Sequence, residues 1–368
     1  MPTITAAVTP GKGQAFHLET LELEDPRSDE VLVRVVATGL CHTDLVCRDQ
    51  EYPVPLPAVL GHEGAGIVEA VGGAVNKVKP GDPVVLSYKS CGHCASCKEG
   101  APTYCHDLFA HNFAAQRPDG STTLKRSDGS AVQSCFFGQS SFATHALAYA
   151  ANVVPVRGDA PLEHLGPLGC GLQTGAGAVM NTLNPRAGTS IAVFGAGSVG
   201  LAAVMAARAV GCTPIITVEP IQARRDMAEQ LGATHTVDPT QDDALDAVRE
   251  ITGGGAHYTL ETSARPEVFR HAVDALTLRG VCGLIGAAPL GTEATFDMNS
   301  ILFGRTVRGV IEGDSVPDLF IPRLVELYFQ GRFPIDKLLS FYDLDAIQQA
   351  AEDSEAGGAI KPVIRMPH

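Results

Sequence analysis

Tryptophan is absent from the 368-residue chain, and aromatic residues make up 6% of it. That leaves little material for a carbohydrate-stacking platform or for a groove that grips single strands by stacking on bases. Positive charge is also short, with 27 Lys and Arg against 41 Asp and Glu and a formal net charge of −14. An acidic surface of that size repels phosphate backbones and anionic headgroups, so neither nucleic acid nor membrane is expected as a partner. The opening MPTITAAVTPGKGQAF has no basic start followed by an apolar run. No secretory signal is therefore expected, and the chain reads as cytoplasmic. Long hydrophobic runs are missing too. The most apolar stretch, residues 191–207, is interrupted by Gly195, Gly197 and Gly200, which divide it into a strand, a tight turn and a helix. A membrane span needs about 20 continuous helical residues.

What is present describes an ordinary globular chain, 45% hydrophobic and 18% charged, with ample core material. At about 100–200 residues per domain the length suggests two domains. Residues 1 to about 150 hold short β-like runs such as VLVRVVATG, GAGIVEAVG and DPVVLSY, separated by Gly and Pro. This is the texture of an antiparallel barrel-like β domain. From residue 172 strands alternate with helices: IAVFGAG before VGLAAVMAARAVG, TPIITVEP before QARRDMAEQLGA, HYTLETS before PEVFRHAVDALTLRG. That alternation implies an α/β, doubly wound parallel sheet. The polar run over residues 116–133 reads as a long surface insertion.

Ten cysteines in a chain with no expected export signal point to metal ligands or buried thiols rather than disulfides. Cys91, Cys94, Cys97 and Cys105 stand as C-x2-C-x2-C-x7-C. Four thiolates on such short loops converge on one tetrahedral Zn²⁺ with no open position, which makes the site structural. His93, between the ligands, reads as a solvated loop residue. Cys41 in TGLCHTD, His62 in GHEGAG and Cys170 in GCGLQTGAG are a further candidate set, each in a glycine-framed turn. Two thiolates and an imidazole would leave a fourth zinc position open for substrate. From spacing alone, however, all three are equally readable as buried core residues.

Gly195, Gly197 and Gly200 form G-x-G-x-x-G between a strand and a helix, with Glu219 nineteen residues beyond Gly200 at the end of the next strand. In that context the glycines let a pyrophosphate approach the helix N-terminus, and Glu219 accepts hydrogen bonds from the ribose hydroxyls. A carboxylate there repels a 2′-phosphate, so NAD is favoured over NADP. Arg224 and Arg225 lie nearby; Arg225 is equally readable as part of a solvated helix face.

Residues 61–72, GHEGAGIVEAVG, resemble the signature of the zinc-containing alcohol dehydrogenases of the medium-chain dehydrogenase family, and the four-cysteine lobe follows at the family's interval. The match runs over essentially the whole chain, including GRTVRG near the end. It implies a GroES-like catalytic β domain over residues 1–171 that carries the structural-zinc lobe. A Rossmann NAD-binding domain follows over 172–310, and residues 311–368 return to the catalytic domain. It also implies two Zn²⁺ per chain, one structural and one catalytic, the latter on Cys41, His62 and Cys170. Glu63 would be an alternate or outer ligand, and Asp44 the carboxylate that fixes the histidine tautomer. Thr43 would accept the substrate proton. Val46 stands where many members carry a relay histidine, so His42, at a pyrophosphate-binding position, is expected to serve the cofactor, the relay or both. Thr174 and Val199 would pack on the nicotinamide, Arg224 would contact the adenosine ribose and Lys361 the pyrophosphate. Cys47, Cys135, Cys212 and Cys282 match no ligand position.

Phe136 and Phe137 align with walls of the alcohol pocket, and with Val46 they resemble the aryl-alcohol (benzyl alcohol) branch. The implied activity is reversible oxidation of a primary aryl alcohol to the aldehyde with hydride transfer to NAD. Allylic terpene alcohols and medium-chain primary alcohols are the nearest alternatives. Glutathione-dependent formaldehyde dehydrogenase is disfavoured by the missing relay histidine and by the lack of an identifiable anion site. A non-catalytic NAD(H)-binding protein is disfavoured by the intact Cys41, His62, Cys170 and Thr43. The implied partners are a small-molecule alcohol or aldehyde and a second copy of the chain; a homodimer is expected and a tetramer stays open.

Overall fold

The computed structural model describes residues 2–367, which form two compact units. One comprises the chain up to residue 170, Val316–Glu326 and the chain from residue 335 onward; the other comprises Gly171–Ser315 and Leu327–Pro334. The second junction thus lies five residues later than the sequence suggests. Hydrogen bonds explain the shift. The Gln173 side chain donates to Glu312 at 3.0 Å and accepts from the Ser315 hydroxyl at 3.0 Å, and Asn181 donates to the Gly313 carbonyl at 2.9 Å. Arg332, in the returning segment, donates to the Ala209 carbonyl at 2.7 Å.

The first unit is built on two sheets. Five strands order as Ala58–Val59, Thr3–Thr9, His17–Leu23, Leu124–Lys125 and Ala131–Val132. Seven more are centred on Glu30–Gly39, which pairs with Gly64–Val71, His145–Tyr149 and Lys361–Arg365. Among these strands the pairing is antiparallel except between Leu339–Asp343 and Lys361–Arg365, and Ala58 makes an isolated parallel bridge to Gln133. Inward residues such as Val8, Leu21, Val33, Leu60, Val84 and Phe142 are fully or almost fully buried and close the barrel-like core.

The polar run over residues 116–133 lies mostly at the surface, as expected of an insertion, yet it is tied to the barrel. It supplies the two short strands 124–125 and 131–132, and Arg117 within it is buried. Its guanidinium donates to both Glu30 oxygens at 2.6 and 2.9 Å and to Glu24 at 2.6 Å. A buried guanidinium needs such paired acceptors, and these anchor the segment to the barrel.

In the second unit six parallel strands, numbered in chain order β1 (Ile191–Phe194), β2 (Ile215–Val218), β3 (His235–Val237), β4 (Ala256–Glu261), β5 (Leu276–Leu284) and β6 (Thr306–Gly309), lie in the order β3-β2-β1-β4-β5-β6. This is the dinucleotide-binding arrangement, with its crevice beyond the carboxyl ends of the central strands. The apolar stretch of residues 191–207 becomes β1, a turn and the start of the helix Ser198–Val210. Among the described residues no helix is long and apolar enough to cross a membrane.

Candidate active site

The seven-residue helix His42–Arg48 begins with Cys41 at its N-cap. Asp44 closes the first turn by accepting from the Cys41 amide at 2.9 Å through Oδ2. Its other oxygen accepts from the Gly61 amide at 3.1 Å and pairs with His62 Nδ1 at 2.8 Å. Because Asp44 accepts from Nδ1–H, the Nε2 lone pair of His62 is free to ligate. That nitrogen is buried without a hydrogen-bond partner. Ligand atoms of Cys41, His62, Glu63 and Cys170 all lie within 4.8 Å of one another.

Electrostatics favour a thiolate in this set. The Cys41 thiol is held well below its ordinary value, first by the Cys170 sulfur and, against the cost of burial, by Lys361 and His62. Burial disfavours a protonated His62 ring, but Asp44 outweighs it and raises the ring's basicity. Burial pushes the Glu63 carboxyl up to about 7 against the pull of Lys361.

Lys361 is not placed to reach out to a pyrophosphate as the resemblance implies. It is 1% exposed, and its Nζ lies 2.7 and 2.6 Å from the two Glu63 oxygens and 3.2 Å from the Leu40 carbonyl. The strand Lys361–Arg365 runs antiparallel to Glu30–Gly39, and that pairing turns the side chain into the site. Burial works against the ammonium, yet Glu63 and Cys41 raise Lys361 above its ordinary value.

Beside the metal set stands an aromatic cluster. The Phe137 ring stacks on His62 with centroids 4.4 Å apart, and Phe136 meets His62 edge-on at 5.5 Å. Phe113 packs against both, at 6.0 and 5.1 Å, and Tyr52 meets Phe113 at 6.0 Å. Tyr52 and Phe113 escaped the sequence reading because no motif surrounds them. Val46 is buried on the helix that carries Thr43, which is half-buried; His42 is exposed.

Cys91, Cys94, Cys97 and Cys105 converge as a second group. The amides of Cys94 and Cys105's neighbour in space, Cys91, donate to Cys91 and Cys105 sulfurs respectively, both at 3.3 Å. Amide donors from His106 and Cys97 lower the Cys94 thiol to about 6, while burial pushes Cys97 up to about 12. His93 is exposed. Cys47, Cys135, Cys212 and Cys282 are buried free thiols that belong to neither group.

In the second unit the glycine-rich turn links β1 to the helix Ser198–Val210. A Cβ at Gly200 would lie 2.0 Å from the Gly195 carbonyl, so the turn closes only with glycine there; a Cβ at Gly197 would meet open space. Glu219, at the end of β2, is 4% exposed and accepts from the Ala196 amide at 2.7 Å and the Ile221 amide at 3.0 Å. Arg225 does not lie on a solvated face. It is buried, donates to the Glu219 carbonyl at 2.7 Å and pairs with Asp238 at 2.9 Å. Arg224 is half-buried, its Nε without a hydrogen-bond partner. Thr174 is buried on the helix Gly171–Gly177, which packs so tightly on the glycine-led helix that a Cβ at Gly175 would lie 2.0 Å from the Val199 carbonyl.

Comparison with known proteins agrees with this geometry. Residues 27–158 match an alcohol dehydrogenase GroES-like domain, and residues 198–328 match a zinc-binding dehydrogenase domain. The chain is 47% identical over 362 residues to geraniol dehydrogenase of Castellaniella defragrans, covering 98% of this chain and 96% of that one. The chain belongs to the zinc-type medium-chain alcohol dehydrogenases. Among solved structures, benzyl alcohol dehydrogenase from Acinetobacter calcoaceticus superposes with a TM-score of 0.97 at 49% identity, with full coverage of both chains. An alcohol dehydrogenase zinc-binding domain protein from Burkholderia ambifaria superposes with a TM-score of 0.99 at 56% identity, also over both full chains. The family implies zinc and NAD(P). The residues fit both: a buried histidine nitrogen with an unused lone pair sits among two thiols, and the glycine turn leaves open space before a helix N-terminus.

Proposed function

We propose that this alcohol dehydrogenase oxidises primary aryl alcohols of the benzyl type to aldehydes, reversibly, with NAD as the hydride acceptor. The observation that carries the reading is the aromatic cluster of Phe136, Phe137, Phe113 and Tyr52 beside His62. Such rings favour a flat, apolar alcohol through stacking and edge contacts. Glu219, already poised on the turn that would face the pyrophosphate, supports NAD over NADP.

When bound, zinc would supply Lewis-acid polarisation for an alcohol oxygen, and NAD would supply a hydride acceptor. Cys41, His62 and Cys170 would hold the metal, with Asp44 keeping His62 in its ligating tautomer. Lys361 pairs with Glu63 and so supports an outer role for that carboxylate. Thr43 accepts the proton released by the alcohol, and the exposed His42 offers it a way to solvent. Cys91, Cys94, Cys97 and Cys105 would hold a second, structural zinc.

A second reading, an allylic terpene alcohol, is supported by the geraniol dehydrogenase relative. The test is kcat/KM across benzyl, cinnamyl, geranyl and hexyl alcohols, followed as NADH absorbance at 340 nm. Benzyl and cinnamyl alcohol should lead; geranyl alcohol in front would favour the second reading, and hexyl alcohol in front would overturn both.

We also infer a homodimer. The strand β6 pairs on one side with β5, its four residues are exposed, and Met298, Leu302, Phe303 and Ile311 around it are exposed as well. An exposed edge strand flanked by apolar side chains invites pairing with a second copy. Light scattering on the eluting protein measures the mass directly. Ten cysteines, six of them grouped as metal ligands and none in a disulfide, support a reducing, cytoplasmic setting.

A further inference from the structure

Between Cys135 and Ser140 the backbone is unusual. Cys135, Phe137 and Ser140 take φ of 66°, 50° and 54°, values that side-chain-bearing residues rarely adopt. Such conformations persist where surrounding contacts over-determine them, and they gather at functional sites. Here the contacts are specific. The Ser140 hydroxyl donates to the Val59 carbonyl at 2.6 Å, and the Ser141 and Phe142 amides donate to the Gly61 and Leu60 carbonyls at 2.9 and 3.1 Å. The segment therefore lies as a template along the turn that carries His62.

The side chain this template turns inward is Gln139, which is 1% exposed. Its Oε1 accepts from the Gly64 amide at 3.0 Å, and its Nε2 donates to the His62 carbonyl at 2.9 Å and the Ser87 carbonyl at 3.2 Å. One primary amide thus clamps the backbone on both sides of Glu63. The Ser87 hydroxyl in turn donates to the Gly169 carbonyl at 2.7 Å, directly before Cys170. Gln139 and Ser87 form a two-residue bridge between the turn of one metal-binding residue and the turn of another, all of it buried.

We propose that Gln139, acting with Ser87, is a positioning residue that sets the separation of His62 and Cys170 and so tunes how tightly the catalytic zinc is held. Its contacts run to the backbone of the ligand turns rather than to ligand side chains, so it differs from Asp44, which orients the imidazole itself. The inference rests on the zinc reading above. Outer partners of metal ligands typically affect metal affinity by about 10- to 100-fold. The four-cysteine site, which Gln139 does not touch, is an internal control.

The experiment compares the full-length zinc-loaded protein with Gln139→Met, which keeps length and loses the polar group, and Ser87→Ala, which cuts the other end of the bridge. Zinc per chain is followed by atomic emission during timed exposure to dipicolinate, and the visible spectrum of the cobalt-substituted protein reports ligand geometry. Both variants should release one zinc about 10- to 100-fold faster, with a shifted cobalt spectrum, while the second zinc and the far-ultraviolet circular dichroism stay unchanged. Gln139→Glu keeps the acceptor for the Gly64 amide but turns an oxygen toward two carbonyls, and should also release faster. Unaltered release and an unaltered spectrum in Gln139→Met overturn the proposal. Parallel loss of both zinc ions, or loss of the folded state, overturns it as well by making Gln139 a general packing residue. An unaltered parent chain with fewer than two zinc ions would fail the zinc reading instead.

Discussion

The Phe137 ring lies nearly flat against the imidazole of His62, with centroids 4.4 Å apart and planes inclined by 30°. One aromatic face is thereby fixed against a candidate zinc ligand, beside the place proposed for the alcohol. Phe137→Leu keeps most of the volume but removes the ring, and aromatic pairs are worth about 0.5–1.5 kcal/mol beyond burial. Catalytic efficiency with benzyl alcohol should fall by about 3- to 10-fold relative to hexyl alcohol, with zinc content unchanged. An equal fall for both alcohols would remove Phe137 from substrate selection.

Metal content follows from the two groups of ligands. The purified protein should hold two zinc ions per chain, and mild chelation should abolish activity while the four-thiolate zinc remains. Cys94→Ser should lower the yield of folded protein, because a structural metal contributes its binding free energy to folding. Active protein with one zinc or none would sink both assignments.

Cofactor choice should respond to Glu219. Replacing Glu219 with Ser removes the charge that repels a 2′-phosphate, and use of NADP should rise relative to NAD. Arg224 is the residue available to meet that phosphate, since Arg225 is already engaged by Asp238 and the Glu219 carbonyl. Equal kcat/KM for NAD and NADP in the unaltered enzyme would falsify the role given to Glu219.

The proton path can be dissected at the start of the helix His42–Arg48. Thr43→Ala should lower turnover by about 10²- to 10⁴-fold at normal zinc content, the range of general acid–base steps, and Thr43→Ser should be tolerated. Since Val46 carries no proton, His42→Gln separates relay from cofactor binding. Loss of turnover near the imidazole pKa, rescued by added imidazole, marks a relay, while weaker NAD binding without rescue marks a binding role. An unchanged pH profile and NAD affinity would leave His42 a bystander.

Stability of the second unit should depend on acid through Asp274. Burial tends to raise this carboxyl, but the Ser300 hydroxyl, Arg270 and Arg305 outweigh it and hold it below the usual carboxylate range. A depressed folded-state value means the contribution is present above the unfolded carboxylate value of about 3.9 and is lost as pH falls through the lower folded value. Asp274→Asn should therefore lower Tm by a few degrees at pH 7, and the gap should narrow below about pH 4. A gap that does not vary with pH would show that charge plays no part.

Local signals sufficed wherever one short segment carries its own chemistry. The C-x2-C-x2-C-x7-C run had to bring four thiols together because its loops are short, and the glycine spacing after IAVF dictated a strand, a turn and a helix. Alternating strands and helices likewise announced the parallel sheet, and the glycine-framed signature over residues 61–72 brought the family resemblance into view. Tertiary structure decided what depends on pairing between distant segments. Lys361 reads as a cofactor contact or an exposed lysine in a linear chain, and only the pairing of its strand with Glu30–Gly39 turns it onto Glu63. Arg117 sits in a stretch rich in Ser, Asp and Gly, and two glutamates more than eighty residues away make its burial tolerable. Gln139 has no motif at all; its importance comes from backbone carbonyls and amides that its amide meets, and backbone groups carry no signature in the sequence. Side-chain identity encodes local geometry and donor chemistry, but which buried polar groups satisfy one another is settled only when the sheets close and water is excluded.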